Sequence, residues 1–113
     1  MKKKILVYDR QFGYYKLIKE LKKEYDFSLS GTDIAHNGYE GMVFIMSDAL
    51  EMPAFVQLFR EDIPILLGIR GRGNNNGMLQ NDNVVYLDLE DTKYGMVKKL
   101  DAFLDRIKTK KLL

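Results

Sequence analysis

Residues 68–77 combine the residue types that can bind a ligand through main-chain groups. They read Gly-Ile-Arg-Gly-Arg-Gly-Asn-Asn-Asn-Gly and follow an apolar run at residues 63–67. Glycine and asparagine tolerate positive φ, so this loop can turn its N–H groups outward. At the carboxyl end of a parallel strand such a loop suits an anion or a planar ring. The same composition is typical of a solvated turn, so both interpretations stay open.

Two aspartates that follow apolar runs could take part in phosphoryl chemistry. Asp9 follows the first run and Asp48 follows a later one. Signalling receiver domains need adjacent acids after the first strand to hold Mg²⁺, an acceptor aspartate after the third and a lysine after the last. Here Arg10 replaces one of the paired acids, Asp48 is displaced by about one position, and Leu89 falls near the expected lysine. An active receiver is therefore disfavoured, and a degenerate receiver-like domain that acts by protein contacts is retained as an alternative.

Composition excludes several other classes of protein. The 113 residues contain no cysteine and one histidine, His36, which has no second histidine or cysteine with which to share a metal. No serine stands with that histidine in a hydrolase arrangement. A formal charge of +2 is too small to indicate nucleic-acid binding, and no apolar run approaches the roughly 20 residues that cross a bilayer. The absence of cysteine fits a cytoplasmic protein.

The apolar runs alternate with amphipathic stretches, which predicts a βα order. Strands are predicted at residues 5–8, 42–46, 63–69 and 84–87, with a weaker one at 27–29. Helices are predicted from Tyr14, from Pro53 and over residues 94–108. This order indicates an α/β fold for the single domain 1–113, a small flavodoxin-like three-layer sandwich with a parallel four- or five-stranded sheet. Its carboxyl edge would bring together the segments that begin at residues 9, 47, 70 and 88.

Short motifs on that edge resemble one family. The residues concerned are Gly13 in the first loop, Pro53, Val56 and Phe59 in the second helix, Gly68, Gly73, Asn74 and Asn76 in the glycine–asparagine loop, and Asp88, Leu89 and Thr92 after the last strand. Together they resemble the flavodoxin-like activator of class Ib ribonucleotide reductase, a small FMN protein. The resemblance runs from Ile5 to about Leu104. The loop after the second apolar run and the connection from Gly77 to Val84 are short, so the chain resembles a trimmed member.

The resemblance implies an FMN-binding electron-transfer protein. Reduced FMN would react with oxygen and deliver an oxidant to the small, dimanganese subunit of the reductase. The residues carried over as cofactor-binding are Arg10, Gln11, Phe12, Gly13 and Tyr14 around the phosphate, Ser47, Asp48, Ala49 and Leu50 beside the ring, and Gly73, Asn74, Asn75 and Asn76 near its reactive edge. The family's first loop supplies Ser and Thr hydroxyls to the phosphate, and here the guanidinium group of Arg10 would have to replace them.

A third alternative is a flavodoxin-like scaffold that has lost its cofactor and keeps a partner surface. An exposed aromatic patch near the edge is predicted for this case. Its members would be Phe12, Tyr14, Tyr15, Tyr39 and Met52.

Overall fold

The fold is a five-stranded parallel sheet with helices on both faces. The structure is a computed structural model, and it describes residues 3–10, 13–29, 38–70 and 83–110. The elements in chain order are β1 (Lys4–Tyr8), α1 (Gly13–Leu21), β2 (Asp26–Leu29), β3 (Gly41–Ile45), a 3₁₀ turn (Ala49–Glu51), α2 (Met52–Leu58), β4 (Ile65–Ile69), β5 (Val84–Asp88) and α3 (Lys93–Lys110). The strand order is β2-β1-β3-β4-β5, and each neighbouring pair is parallel. The predicted α/β sandwich with a parallel sheet is therefore confirmed.

Both faces of the sheet are covered, which explains why its strands read as continuous apolar runs. Successive side chains of a strand point to opposite faces. In β1, Ile5 and Val7 pack under α1 and α3, whereas Leu6 packs toward α2. All five residues of β3 are buried. A strand that is covered on both sides needs apolar residues at every position, so the alternation of apolar and polar residues is lost.

The first face packs against α1 and α3. Ile18 of α1 and Phe103 and Ile107 of α3 are buried in one cluster with the strands. α3 lies close to the sheet at Gly41, where a Cβ atom would stand 2.6 Å from the Ile107 Cδ1 atom. Lys22, just past α1, joins the two helices through an ion pair from its Nζ to the Asp101 Oδ1 at 2.6 Å.

The second face packs against α2 through a row of aromatic rings. Tyr8 stacks on Phe44 with ring centroids 4.2 Å apart, and Phe44 meets Phe55 edge-on at 5.1 Å. Phe55 in turn contacts Phe59 at 5.8 Å. Each such pair contributes about 0.5–1.5 kcal/mol beyond its buried area. The row fixes α2 against the middle of the sheet.

The strand order places a topological switch point between β1 and β3. The chain leaves β1 toward β2 on one side and continues with β3 on the other. The connections β1-α1-β2 and β3-α2-β4 therefore run across the sheet in opposite directions, and right-handed connections put α1 and α2 on opposite faces, as observed. In open sheets of this kind, ligands bind outside the carboxyl ends of the two strands at the switch point.

The observed elements differ from the predicted ones mainly at their ends. β4 begins at Ile65 and not at Ile63, because Pro64 has no N–H for a ladder, although its carbonyl accepts the Met42 N–H at 3.0 Å. The weak strand at residues 27–29 is present as β2. Residues 71–77 of the glycine–asparagine loop lie outside the described residues. Within those residues, no helix combines the length and apolar character required to span a membrane.

Candidate functional site at the carboxyl edge of the sheet

The ends of β1, β3, β4 and β5 lie on one edge because all four strands run parallel. Hydrogen bonds continue past the strand ends. The Met46 N–H donates to the Gly68 carbonyl at 2.8 Å, and the Leu89 N–H donates to the Ile69 carbonyl at 2.9 Å. The described parts of the four predicted segments therefore start from a common edge.

An open pocket of about 290 Å³ lies at the switch point of this edge. It is lined by Arg10 from the end of β1 and by Ser47, Asp48 and Glu51 from the segment after β3. This volume is just below the range of about 300–1,000 Å³ that is typical of small-molecule sites. Arg10 contributes one positive charge, and the two carboxyl groups contribute two negative charges when ionised. Three of the four lining residues are among those that the family resemblance predicts to bind a cofactor, and the fourth, Glu51, is not.

Glu51 is the best-held side chain of the pocket. It is only 3% exposed, and its Oε2 accepts the N–H groups of Ser47 at 2.6 Å and Asp48 at 2.9 Å. Asp48 reciprocates with its Oδ1, which accepts the Leu50 N–H at 2.9 Å. These bonds form a variant of the capping box at the start of a helical segment, because the Asp48 side chain accepts the N–H of the second residue after it and not that of the third. Its sequence signature, an Asp followed three residues later by a Glu, could have identified Glu51.

The other oxygen of the Glu51 carboxylate is the exception in this network. Glu51 Oε1 is buried and accepts no hydrogen bond from any described residue. Buried polar atoms are nearly always paired. One oxygen of a side chain that lines the pocket is therefore an unused hydrogen-bond acceptor.

Asp9 occupies the matching position after β1. It is 4% exposed, and its Oδ2 accepts the Tyr15 N–H at 2.9 Å, in the first turn of α1. A carboxylate here stabilises the positive end of the helix dipole. It also places a negative charge at the helix N-terminus, where a bound phosphate would otherwise be favoured.

The residues after β5 form a turn that starts α3. The Asp88 Oδ1 accepts the Glu90 N–H at 2.9 Å, and the Thr92 Oγ1 accepts the Gly95 N–H at 3.1 Å as an N-cap. Leu89 is buried against the sheet. These contacts give the motif residues Asp88, Leu89 and Thr92 a structural role in joining β5 to α3.

Gly68 also has a packing role. It lies inside β4, where a Cβ atom would stand 2.9 Å from the Leu89 Cδ2 and 3.0 Å from the Ile45 Cδ1. The first glycine of the ligand-loop motif is therefore required by contacts within the sandwich.

The structure places the predicted cofactor-binding residues as follows. Arg10, Ser47 and Asp48 line the pocket, Ala49 begins the 3₁₀ turn, and Leu50 is 83% exposed beside it. Gly13 begins α1, whereas Tyr14 lines a small apolar groove between α1 and α3 and does not line the pocket. Gln11, Phe12, Gly73, Asn74, Asn75 and Asn76 lie outside the described residues.

The predicted aromatic patch is wrong for the members that the structure describes. Tyr14 and Tyr15 pack against the cluster under α1 and α3, while Tyr39 and Met52 pack against the cluster under α2. The sheet separates the two pairs. Phe12, the fifth member, lies outside the described residues.

Metal binding receives no support from the described part of the chain. No three His, Cys, Asp or Glu side chains there are arranged to hold a metal ion. The Asp9 carboxylate instead accepts an N–H group of α1, and those of Asp48 and Glu51 accept N–H groups of the segment after β3. A Mg²⁺-dependent phosphotransfer site needs such carboxylates as metal ligands.

Comparisons with models of known protein families, with curated proteins and with solved structures find no match to this chain.

Proposed function

We propose that this chain is a receiver-like binding module that works through protein contacts at the carboxyl edge of its sheet, without phosphotransfer. The observation that supports this proposal most strongly is an exposed apolar stripe on the segment after β3. Its members are Leu50, Pro53 and Val56, three residues apart, with Leu50 83% and Val56 63% exposed. The stripe starts directly beside the switch-point pocket.

The fold itself does not need this stripe. The opposite side of the same segment supplies the packing, because Phe55 is fully buried against Phe44 and Glu51 is held by the capping box. Leu50 and Val56 therefore add little to the stability of the domain. Full burial of such a side chain contributes about 1.5–3 kcal/mol, which a protein partner could gain. Exposed apolar side chains that lie close together beside a cleft are a feature of interaction sites.

The pocket chemistry favours a contact role over phosphotransfer. Asp48, the acid nearest the acceptor position, accepts a hydrogen bond from the Leu50 N–H, and Asp9 accepts one from the Tyr15 N–H. Arg10 occupies the position of the second metal-binding acid. The residues of the edge thus stabilise its loops, and the loop after β3 leads directly into the segment that carries the apolar stripe.

The test is to compare the partners that bind the wild-type protein with those that bind a double variant, Leu50→Glu with Val56→Glu. Extract from the source cells is passed over each immobilised protein, and the bound proteins are quantified; the leading one is purified and its Kd measured. We expect the double variant to lose at least about tenfold in affinity, since hot-spot residues commonly contribute 1–2 kcal/mol or more. Tyr94→Glu, at a 74% exposed residue on α3, is the matched control and should bind normally. Equal losses of affinity in the double variant and in Tyr94→Glu would contradict the proposal. Failure to find a partner that binds saturably would also contradict it.

FMN binding is the second candidate, favoured by the position of the pocket. Switch-point clefts of this strand order accept FMN, and Arg10 at the pocket supplies a guanidinium suited to a phosphate. Bound FMN would supply one- or two-electron redox chemistry, with Ser47 and Asp48 beside the ring, and the small subunit of a ribonucleotide reductase as partner. We rank it second because Asp9 and Glu51 occupy N–H groups that a phosphate or ring could use.

A flavin titration separates the two candidates. FMN is added to the purified protein while its absorption and fluorescence are recorded. The FMN candidate requires saturable quenching and a Kd that rises at least tenfold in Arg10→Ala. The contact-module proposal requires no saturable change at micromolar FMN.

A further inference from the structure

We infer that the switch-point pocket binds a guanidinium or ammonium group through Glu51 Oε1. The starting point is the geometry of the carboxylate. Two backbone N–H groups hold Oε2, at 2.6 and 2.9 Å, so the side chain cannot rotate away without losing both bonds. Oε1 is thereby fixed in a side chain that lines the pocket, and no described residue donates to it. A buried acceptor without a donor destabilises the structure, and a charged acceptor does so more than a neutral one.

The charge of the pocket selects a cationic donor. Ser47 and Asp48 satisfy one oxygen of Glu51 with neutral N–H groups, and no described residue forms an ion pair with Glu51. Asp48 brings a second carboxylate to the same lining. A hydrogen bond to an ionised partner is roughly twice as strong as a neutral one. A cation with N–H donors therefore gains more here than a neutral ligand or a water molecule does.

The type of cation follows from the number of available ligands. A divalent metal ion needs several oxygen ligands, and the described residues offer no group of three suitable side chains. A guanidinium or ammonium group needs only one or two acceptors with directional bonds. The pocket volume of about 290 Å³ accommodates such a group with part of the molecule that carries it. Arg10, on the same lining, opposes the cation by charge and should weaken its binding.

The group could come from a free small cation or from an arginine or lysine of a protein partner. This inference goes beyond the proposed contact function, because the pocket would bind the group even if the stripe at Leu50 and Val56 bound nothing. The two sources share one chemistry and can be distinguished by the size of the probe.

The experiment is an NMR titration of the full chain with methylguanidinium and methylammonium chloride, with sodium chloride as the ionic-strength control. The amide signals of Ser47 and Asp48 report directly, because both donate to the carboxylate that binds the probe. We expect saturable shifts of these two signals at millimolar probe. Blocked arginine, N-acetyl-arginine amide, is the second probe. If it binds as well as methylguanidinium, the site accepts a side chain of a partner, and if only the small probes bind, the site accepts free cations.

The decisive variant is Glu51→Gln. Its amide oxygen can still accept the two N–H groups, whereas its NH₂ group replaces Oε1 and presents a donor to the pocket. Binding should weaken at least tenfold. Glu61→Gln, at an exposed residue beyond α2, is the control and should leave binding unchanged. Arg10→Ala should tighten binding several-fold.

The inference is overturned if the wild-type signals shift no more with the probes than with sodium chloride, which would leave only water at Oε1. It is also overturned if Glu51→Gln binds the probes as the wild type does. Should Glu51→Gln fail to fold, Asp48→Asn keeps an oxygen for the Leu50 N–H and removes one charge. That variant should bind several-fold more weakly, and unchanged binding would contradict the inference.

Discussion

Replacement of Glu51 tests whether the capping box holds the edge together. In Glu51→Ala, the N–H groups of Ser47 and Asp48 lose an ionised acceptor at 2.6 and 2.9 Å. A hydrogen bond to a charged group contributes about 1.5–3 kcal/mol net. Part of this loss is offset, because Asp48 is exposed and Ser47 is only half-buried, so that water can replace the lost acceptor in the variant. The buried carboxylate, only 3% exposed, also disappears with its desolvation cost. We therefore expect a loss of about 2 kcal/mol.

Glu51→Gln should lose less than Glu51→Ala. Its neutral oxygen can keep both hydrogen bonds at roughly half the strength, so a loss of about 1 kcal/mol is expected. For a domain of 113 residues, the entropy of unfolding is about 0.24 kcal/mol per kelvin near 60 °C. The expected decreases in Tm are therefore about 8 °C for Glu51→Ala and 4 °C for Glu51→Gln.

The assay is thermal and urea unfolding followed by circular dichroism, with Glu61→Ala as the matched control. Glu61 is exposed, and its removal should change stability by less than about 0.5 kcal/mol. If Glu51→Ala unfolds with the same midpoint as the Glu61 control, the hydrogen bonds of the capping box do not stabilise the domain. The account of a preformed pocket would then be refuted.

Three further predictions concern the scaffold. Gly41→Ala should destabilise the domain by about 1–3 kcal/mol in urea unfolding, because its Cβ would overlap the Ile107 side chain, and an unchanged midpoint would contradict the packing of α3. Thr92→Ala should cost about 1 kcal/mol by removal of the α3 N-cap, whereas Thr92→Ser should cost much less. A double-mutant cycle of Lys22 and Asp101 should give a coupling of about 0.5 kcal/mol that shrinks in 1 M salt. The hydrogen bond to Asp101 raises the pKa of Lys22 above its ordinary value of 10.5, so this coupling should be intact below about pH 10.5 and disappear as the pH rises through the higher folded-state pKa. A coupling that grows with alkaline pH would contradict the ion pair.

The element order was predictable because the strands are buried on both faces. The continuous apolar residues around Leu6 and Val43 are typical of strands in a covered parallel sheet. The spacing of Leu100, Phe103 and Ile107 fits one face of a helix. The three-layer arrangement followed from the strand–helix alternation and from the right-handed connections between parallel strands. The common edge followed in turn, since parallel strands end together.

The candidate site was only partly predictable. Asp48 was predicted to bind a cofactor, but Glu51 was not. The three-residue spacing from Asp48 to Glu51 marks the start of a helical segment, but it does not show that the Glu51 carboxylate accepts two N–H groups. The aromatic patch was predicted from nearness in sequence to the edge. Tyr14 and Tyr39 in fact pack on opposite faces of the sheet, which depends on the direction of each side chain and not on its distance from the strand end.

The exposure of the apolar stripe likewise could not be predicted from the sequence. Val56 fits an apolar helix face as well as Phe55 does, yet Phe55 is fully buried and Val56 is 63% exposed. Adjacent positions on a helix differ by about 100°, so a seven-residue helix gives too few turns to fix which apolar side faces the sheet.

The most direct measurement of the central claim is the affinity of the purified partner for three proteins: the wild type, the double variant Leu50→Glu with Val56→Glu, and Tyr94→Glu. The contact-module account predicts a Kd at least tenfold higher for the double variant alone, with all three proteins equally folded by circular dichroism. Equal Kd values for the wild type and the double variant would show that the partner binds elsewhere and would contradict the account.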